Sequence, residues 1–109
     1  MVNRYRGEVA VELDGKQWVV CLTLGALAEL EAAFEVDDLS ALATRFGSGK
    51  LSAKDMLRIL GAGLRGAGHP LTDEEVAEMQ VRGGALGYAQ IVSELLKATF
   101  GADTDDVTT

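Results

Sequence analysis

The chain has 109 residues, of which 48% are hydrophobic and 25% are charged, and its formal net charge at pH 7 is −7. This composition predicts one soluble folded domain with a modest core. The excess of acidic residues argues against general nucleic-acid binding, which relies on Lys and Arg to neutralise phosphates. No apolar run approaches the roughly 20 residues of a membrane-spanning helix, and residues 1–6 lack the apolar segment of a signal peptide. We therefore expect no membrane contact and a cytoplasmic location, which suits a chain with a single cysteine and no possible internal disulfide.

The N-terminal part of the chain has the pattern of a β-hairpin. Apolar and polar residues alternate over residues 6–13, and a second apolar run covers residues 16–22. Asp14-Gly15 between them suits a type I′ turn, in which both central residues have positive φ. From Thr23 onward the apolar residues return every three or four positions, which is the period of an α-helix. The sequence therefore predicts one hairpin that leads directly into helices.

Five helical segments follow in the pattern. The first runs from about Leu24 to Phe34, and Thr23 is its N-cap. The second helix begins at an N-cap, Asp37 or Asp38, and ends at the glycine-containing segment 47–49. Ser52 caps the start of the third helix, which ends before a break at residues 66–70, and Thr72 caps the start of the fourth. The fifth helix lies between the glycines at 83–84 and Gly101. The elements together predict an α+β fold, an N-terminal antiparallel β-hairpin packed against a bundle of four or five short α-helices.

We assign residues 1–101 to this single domain. Residues 102–109 are acidic and polar and have little to bury, so they are predicted to be a disordered C-terminal tail.

Several residues could suggest chemistry, but each has a simpler structural interpretation. Gly61, Gly63 and Gly66 match the GxGxxG pattern, yet a dinucleotide site needs those glycines between a strand and a helix, and here they end a helical pattern. We expect Gly61 and Gly63 to permit close helix packing, and Gly66 and Gly68 to mark the exit of the chain from the helix. His69 lies in a Gly/Pro loop and is predicted to be solvent-exposed, and Cys21 lies in an apolar strand and is predicted to be buried and inert. The sequence predicts no catalytic residue, metal site or cofactor.

The basic residues are concentrated in one part of an acidic chain. Residues 45–65 contain five of the ten Lys and Arg residues and one acid, Asp55, so this window is locally +4. Lys54 and Arg58 share the outer face of the third helix, and Arg65 lies close to the same line. These three residues are the candidate partner-docking residues. The alternative is a solvated face whose charges pair with acids elsewhere in the domain.

The hairpin followed by residues 23–31 (Thr-Leu-Gly-Ala-Leu-Ala-Glu-Leu-Glu) resembles the gene transfer agent family of small tail proteins, which belong with phage tail assembly chaperones. Residues 60–66 and 71–76 fit the same family, and the similarity covers about residues 6–101. The resemblance implies a bacterial cytoplasmic protein encoded among prophage-like tail genes. Tail assembly chaperones are thought to bind the helical tape-measure protein while the tail tube polymerises around it, and some members of the family have been labelled tail tube proteins.

Two functions follow from the resemblance, and the residues add a third. The first is a non-enzymatic, chaperone-like tail assembly protein that binds the tape-measure protein or other phage-like tail proteins. The sequence favours this hypothesis, because one hairpin supplies little of the sheet that a tube subunit needs. The alternative is a structural tail component, of the tube or a minor part, retained in the particle. The remote third is a nucleotide-binding enzyme that uses the glycine segment. The oligomeric state is left open.

Overall fold

The computed structural model describes Asn3 and residues 6–101. In this part of the chain a two-stranded antiparallel hairpin precedes five helices, which confirms the predicted α+β class. The predicted tail, residues 102–109, lies outside the described residues, so its disorder stays a prediction. The elements are β1 (Glu8–Leu13), β2 (Lys16–Cys21), α1 (Leu24–Phe34), α2 (Leu39–Gly47), α3 (Ala53–Gly66), α4 (Asp73–Ala77) and α5 (Gly84–Phe100).

The hairpin turns where the sequence predicts. Asp14 and Gly15 both have positive φ, 54° and 75°, as a type I′ turn requires. The strands pair in the register Val9 with Val20 and Val11 with Trp18, so the apolar side chains of both strands share one face. That face packs on α3 and α5 and carries fully buried residues of the core. The strands are one or two residues shorter than predicted at their ends.

Local caps fix the helix starts. Thr23, Asp38, Ser52 and Thr72 each accept a backbone N–H of the first turn, and at α3 and α4 the acid three residues later completes a capping box. Asp38 is therefore the N-cap of α2, of the two candidates. The sequence predicts these starts well because a cap involves only neighbouring residues.

Helix α3 is the centre of the domain, and its glycines permit close contacts. A side chain at Gly63 would collide with Leu95 of α5, and one at Gly66 would overlap the carbonyl oxygen of Cys21 in β2. Gly61 is packed beneath Asp73 of α4 in the same way. The GxGxxG segment thus lies within α3 and not at a strand-to-helix turn, as expected for Gly61 and Gly63. Helix α3 ends at Gly66, as the predicted chain exit requires, and the contact of Gly66 with β2 is an addition from the structure. The nucleotide-binding alternative loses the geometry on which it depended.

The short helix α4 is followed by a segment tied to the hairpin turn. The Asp14 amide donates to the carbonyl of Gln80 at 2.8 Å, and the Gln80 amide donates to the Asp14 carboxylate at 2.8 Å. The Tyr88 hydroxyl donates to the Met79 carbonyl, and burial raises the pKa of that phenol. These bonds connect α4 and α5 to the tip of the hairpin.

We expect Gly66→Ala to destabilise the domain by about 2 kcal/mol, because the new methyl group meets a backbone oxygen that cannot move aside. Gly25→Ala is the matched control. It lies in the exposed first turn of α1, where a methyl group would approach only Thr23 Oγ1, at 3.9 Å, and should be neutral or stabilising by up to about 1 kcal/mol. Urea unfolding measures both, and a Gly66→Ala protein as stable as wild type would contradict the packing described for α3.

Candidate functional site

The main concave apolar surface described is a groove between α2 and α5, over the start of α3. Its volume is about 700 Å³, within the range of binding pockets in general. We call it the α2/α5 groove. It is lined by Ala43, Phe46, Gly47, Gly49, Leu51, Met56, Ala89, Val92, Ser93, Leu96, Lys97, Phe100 and Gly101.

Aromatic contacts set the shape of the α2/α5 groove. Phe46 of α2 meets Phe34 of α1 and Phe100 of α5, at ring-centroid distances of 5.1 and 6.3 Å. Phe100 remains 38% exposed although it is a large apolar residue. On the α5 wall, Ala89 and Ser93 are small and exposed, so they leave the groove open. The result is an apolar surface that the described residues do not cover.

A charged clamp joins α2 to the start of α3. Arg45 Nη2 lies 3.0 Å from Asp55 Oδ2, and the same guanidinium lies over the ring of Phe34 at 5.3 Å. Asp55 also accepts the backbone N–H of Ser52, and this bond together with Arg45 lowers the pKa of the Asp55 carboxyl. The clamp holds the α2 wall of the groove near α3.

The charges at the α2/α5 groove are positive. Lys97 is the one charged residue of the lining, and the exposed Lys50 lies between two lining residues, Gly49 and Leu51. Among the described residues no acidic side chain lines the groove, although the chain has 17 acidic and 10 basic residues. The described lining therefore offers an apolar floor with one positive charge, that of Lys97.

The structure separates the predicted docking residues into two groups. Lys54 is exposed and Arg58 half-buried, and neither forms an ion pair or side-chain hydrogen bond with the described residues. Arg65 is engaged: its Nη2 lies 2.6 Å from Glu29 Oε1 in α1, and its Nη1 lies 3.0 Å from Asp73 Oδ1.

Arg65 also donates to the carbonyl of Leu71 at 2.8 Å, and the bond to Glu29 raises the pKa of its guanidinium. This arginine joins α1, α3 and the start of α4. Because α4 packs over Gly61 on the same line of α3, only the N-terminal part of the line, with Lys54 and Arg58, is open. Docking by these residues stays a proposal.

The lone histidine and the lone cysteine both pack against other residues of the domain. His69 is half-buried with its ring against Trp18 in an edge-to-face contact, at 5.0 Å between centroids, so the prediction of a solvent-exposed loop histidine is wrong. The thiol of Cys21 is buried, as predicted, and lies 3.3 Å from the carbonyl oxygen of Arg6. Burial raises the pKa of this thiol, and Glu8 raises it further.

The described residues contain no group of three or more His, Cys, Asp or Glu residues that could hold a metal ion. Among the helices of residues 6–101, none is long and apolar enough to cross a membrane.

Sequence reasoning missed the α2/α5 groove. Its signal was present in α5, where Ala89, Leu96 and Phe100 widen the apolar surface beyond the single stripe that one buried face requires. The pattern alone could not show that α2 leaves these apolar residues of α5 uncovered.

The described part of the chain is a small hairpin-and-helix domain with an open apolar groove. The chain belongs to the family described as phage tail tube protein, GTA-gp10, whose sequence profile matches residues 6–102. It is therefore a member of a tail protein family of gene transfer agents and phages, which confirms the family predicted from the hairpin and residues 23–31. No curated protein and no solved structure matches the chain significantly.

The Arg45–Asp55 pair predicts that part of the free energy of unfolding depends on pH in the acid range. Because the folded pKa of Asp55 lies below the ordinary value of 3.8, its contribution is present above that pH and is lost as the pH falls through the folded pKa. We expect Asp55→Asn to be less stable than wild type by about 1 kcal/mol at pH 7, with the gap closing below about pH 3.8. Urea unfolding at several pH values measures this. The exposed Asp37→Asn serves as control, and a gap that stays constant down to pH 2.5 would contradict the role of the carboxylate.

Proposed function

We propose that this chain is a structural component of a phage-like tail, retained in the particle in contact with other tail proteins. The observation that carries the proposal is the match to a tail tube family over residues 6–102, a range that includes every strand and helix of the domain. The proposal is non-enzymatic and requires no cofactor. Assembly would take place in the cytoplasm of the producing cell.

The hairpin and the groove both suit a protein that works in contact with neighbours. Each strand of the two-stranded sheet has one edge without a strand partner in the described part of the chain, and such an edge can accept a strand from another subunit. Because two strands cannot close around a bore by themselves, neighbouring subunits would have to supply the rest of any tube wall. The α2/α5 groove offers a second, apolar contact surface.

A second candidate is a tail assembly chaperone that binds the tape-measure protein. The observation that favours it is the open groove, because an apolar groove of this kind can cover the apolar face of a helix before assembly. The two candidates differ in the fate of the protein. A structural component stays in the particle, whereas a chaperone leaves it.

The first test is therefore the composition of purified particles. We expect quantitative mass spectrometry to find this protein in particles purified away from lysate, in a fixed ratio to the other tail subunits across preparations. A soluble cytoplasmic enzyme of the same cells, measured in the same samples, controls for carry-over. Presence in the lysate together with loss from purified particles would replace the structural role with the chaperone role.

The basic residues of α3 give a second test. If Lys54 and Arg58 face a tail partner, Lys54→Glu with Arg58→Glu should reduce particle yield at least about tenfold through slower association. Stability should change by less than about 1 kcal/mol, because neither charge is paired with the described residues. Lys54→Arg with Arg58→Lys is the matched control, because it changes the same two positions and keeps both positive charges. This control should assemble normally. Equal yields from both double variants would show that the face is merely solvated.

A further inference from the structure

We propose that the α2/α5 groove receives an amphipathic helix of another protein, and that acidic residues flank the apolar face of that helix. The inference rests on the proposed function in one respect, that the chain works in contact with other proteins. It adds the site and the chemistry of the partner. Neither the family match nor the predicted docking residues assign this surface.

The dimensions of the groove suit a short helix. Its α5 wall runs from Ala89 to Phe100, a length of roughly 16 Å at 1.5 Å per residue, or about three helical turns. The opposite wall is Ala43 and Phe46 of α2, and Met56 contributes from α3. A helix with apolar residues at i, i+3 or i+4, and i+7 would place one row of side chains between these walls.

The charges select among possible helices. Lys97 lines the groove, Lys50 follows the lining residue Gly49 in the chain, and no acidic side chain of the described residues lines it. A helix with basic flanks would meet like charge, whereas Asp or Glu beside the apolar row would meet opposite charge. The chain as a whole has a net charge of −7, so Lys97 gives the groove a positive charge on a protein whose overall charge repels an acidic partner.

The chain's own C-terminal segment is a weaker occupant. Residues 102–109 follow directly after Gly101 of the groove lining, and three of them are Asp. Their charge suits the groove, but Val107 is their one large apolar residue. One such residue cannot cover a floor that includes Phe46, Leu96 and Phe100, so we assign the groove to a partner.

A displayed library of 20-residue helical peptides, randomised in both the apolar row and the flanking positions, tests the proposal on the full chain. We expect selected peptides to carry large apolar residues at helical spacing with Asp or Glu beside them. The winning peptide, synthesised with a fluorescent label, should bind Lys97→Glu at least about fivefold more weakly and should lose affinity as salt rises. Lys16→Glu makes the same charge change at the hairpin turn and should bind like wild type.

A steric pair of variants locates the binding site. Ala89→Trp fills the groove from an exposed position and should weaken binding of the same peptide at least about tenfold. Ala28→Trp places the same side chain on an exposed position of α1, outside the groove, and should bind like wild type. Thermal unfolding of each variant shows that the domain remains folded.

Three results would overturn the proposal: selection that yields no helical apolar spacing, selection of basic flanks, or binding that Ala89→Trp leaves intact. Peptide binding that appears only after deletion of residues 102–109 would assign the groove to the chain's own segment instead. These outcomes are separate from particle composition. If the groove fails these tests while the protein is found in purified particles, the structural role stands and the docking surface lies elsewhere.

Discussion

The close approach of α3 to its neighbours is the constraint on which the rest of the domain depends. Gly63 brings α3 against β2 and α5, and Gly66 brings its last turn against the backbone of Cys21. A side chain at Gly66 would force the backbone of β2 away from α3, and one at Gly63 would force the Leu95 side chain to shift. Since β2, α1, α4 and α5 all pack on α3, its surface determines how the other elements are arranged.

The groove is a consequence of that arrangement. Helix α5 packs on α3 and the hairpin through residues such as Val92 and Leu95, which are buried. Helix α2 is attached at the other side, through Phe46 and the Arg45–Asp55 pair. Between them the described residues leave apolar surface of both helices uncovered, including that of Phe100. Exposure of apolar surface to water is unfavourable, and large exposed apolar patches commonly mark contact surfaces for other molecules.

Family and geometry bear on different parts of the function. The family match gives the setting, a gene transfer agent or phage tail. The family match favours the structural tail component. The sequence, in contrast, favours the chaperone, because one hairpin supplies little of the sheet that a tube subunit needs. The geometry contributes the surfaces: two strand edges, a cationic strip at Lys54 and Arg58, and the α2/α5 groove. Arg65, in contrast, is already committed to pairs within the domain, so its charge is largely balanced by Glu29 and Asp73.

The sequence by itself determined the local structure. The Asp14-Gly15 turn, the N-caps and the span of α1 could all be predicted, because each depends on residues within a few positions of one another. The buried glycines of α3 could also be interpreted from their place in a helical pattern. Only the tertiary structure decided which distant residues meet: Arg65 pairs with Glu29, 36 positions away, His69 rests on Trp18, and α2 and α5 enclose a groove. These contacts depend on the angles at which helices cross, and those angles are set by packing around α3, which no local pattern specifies.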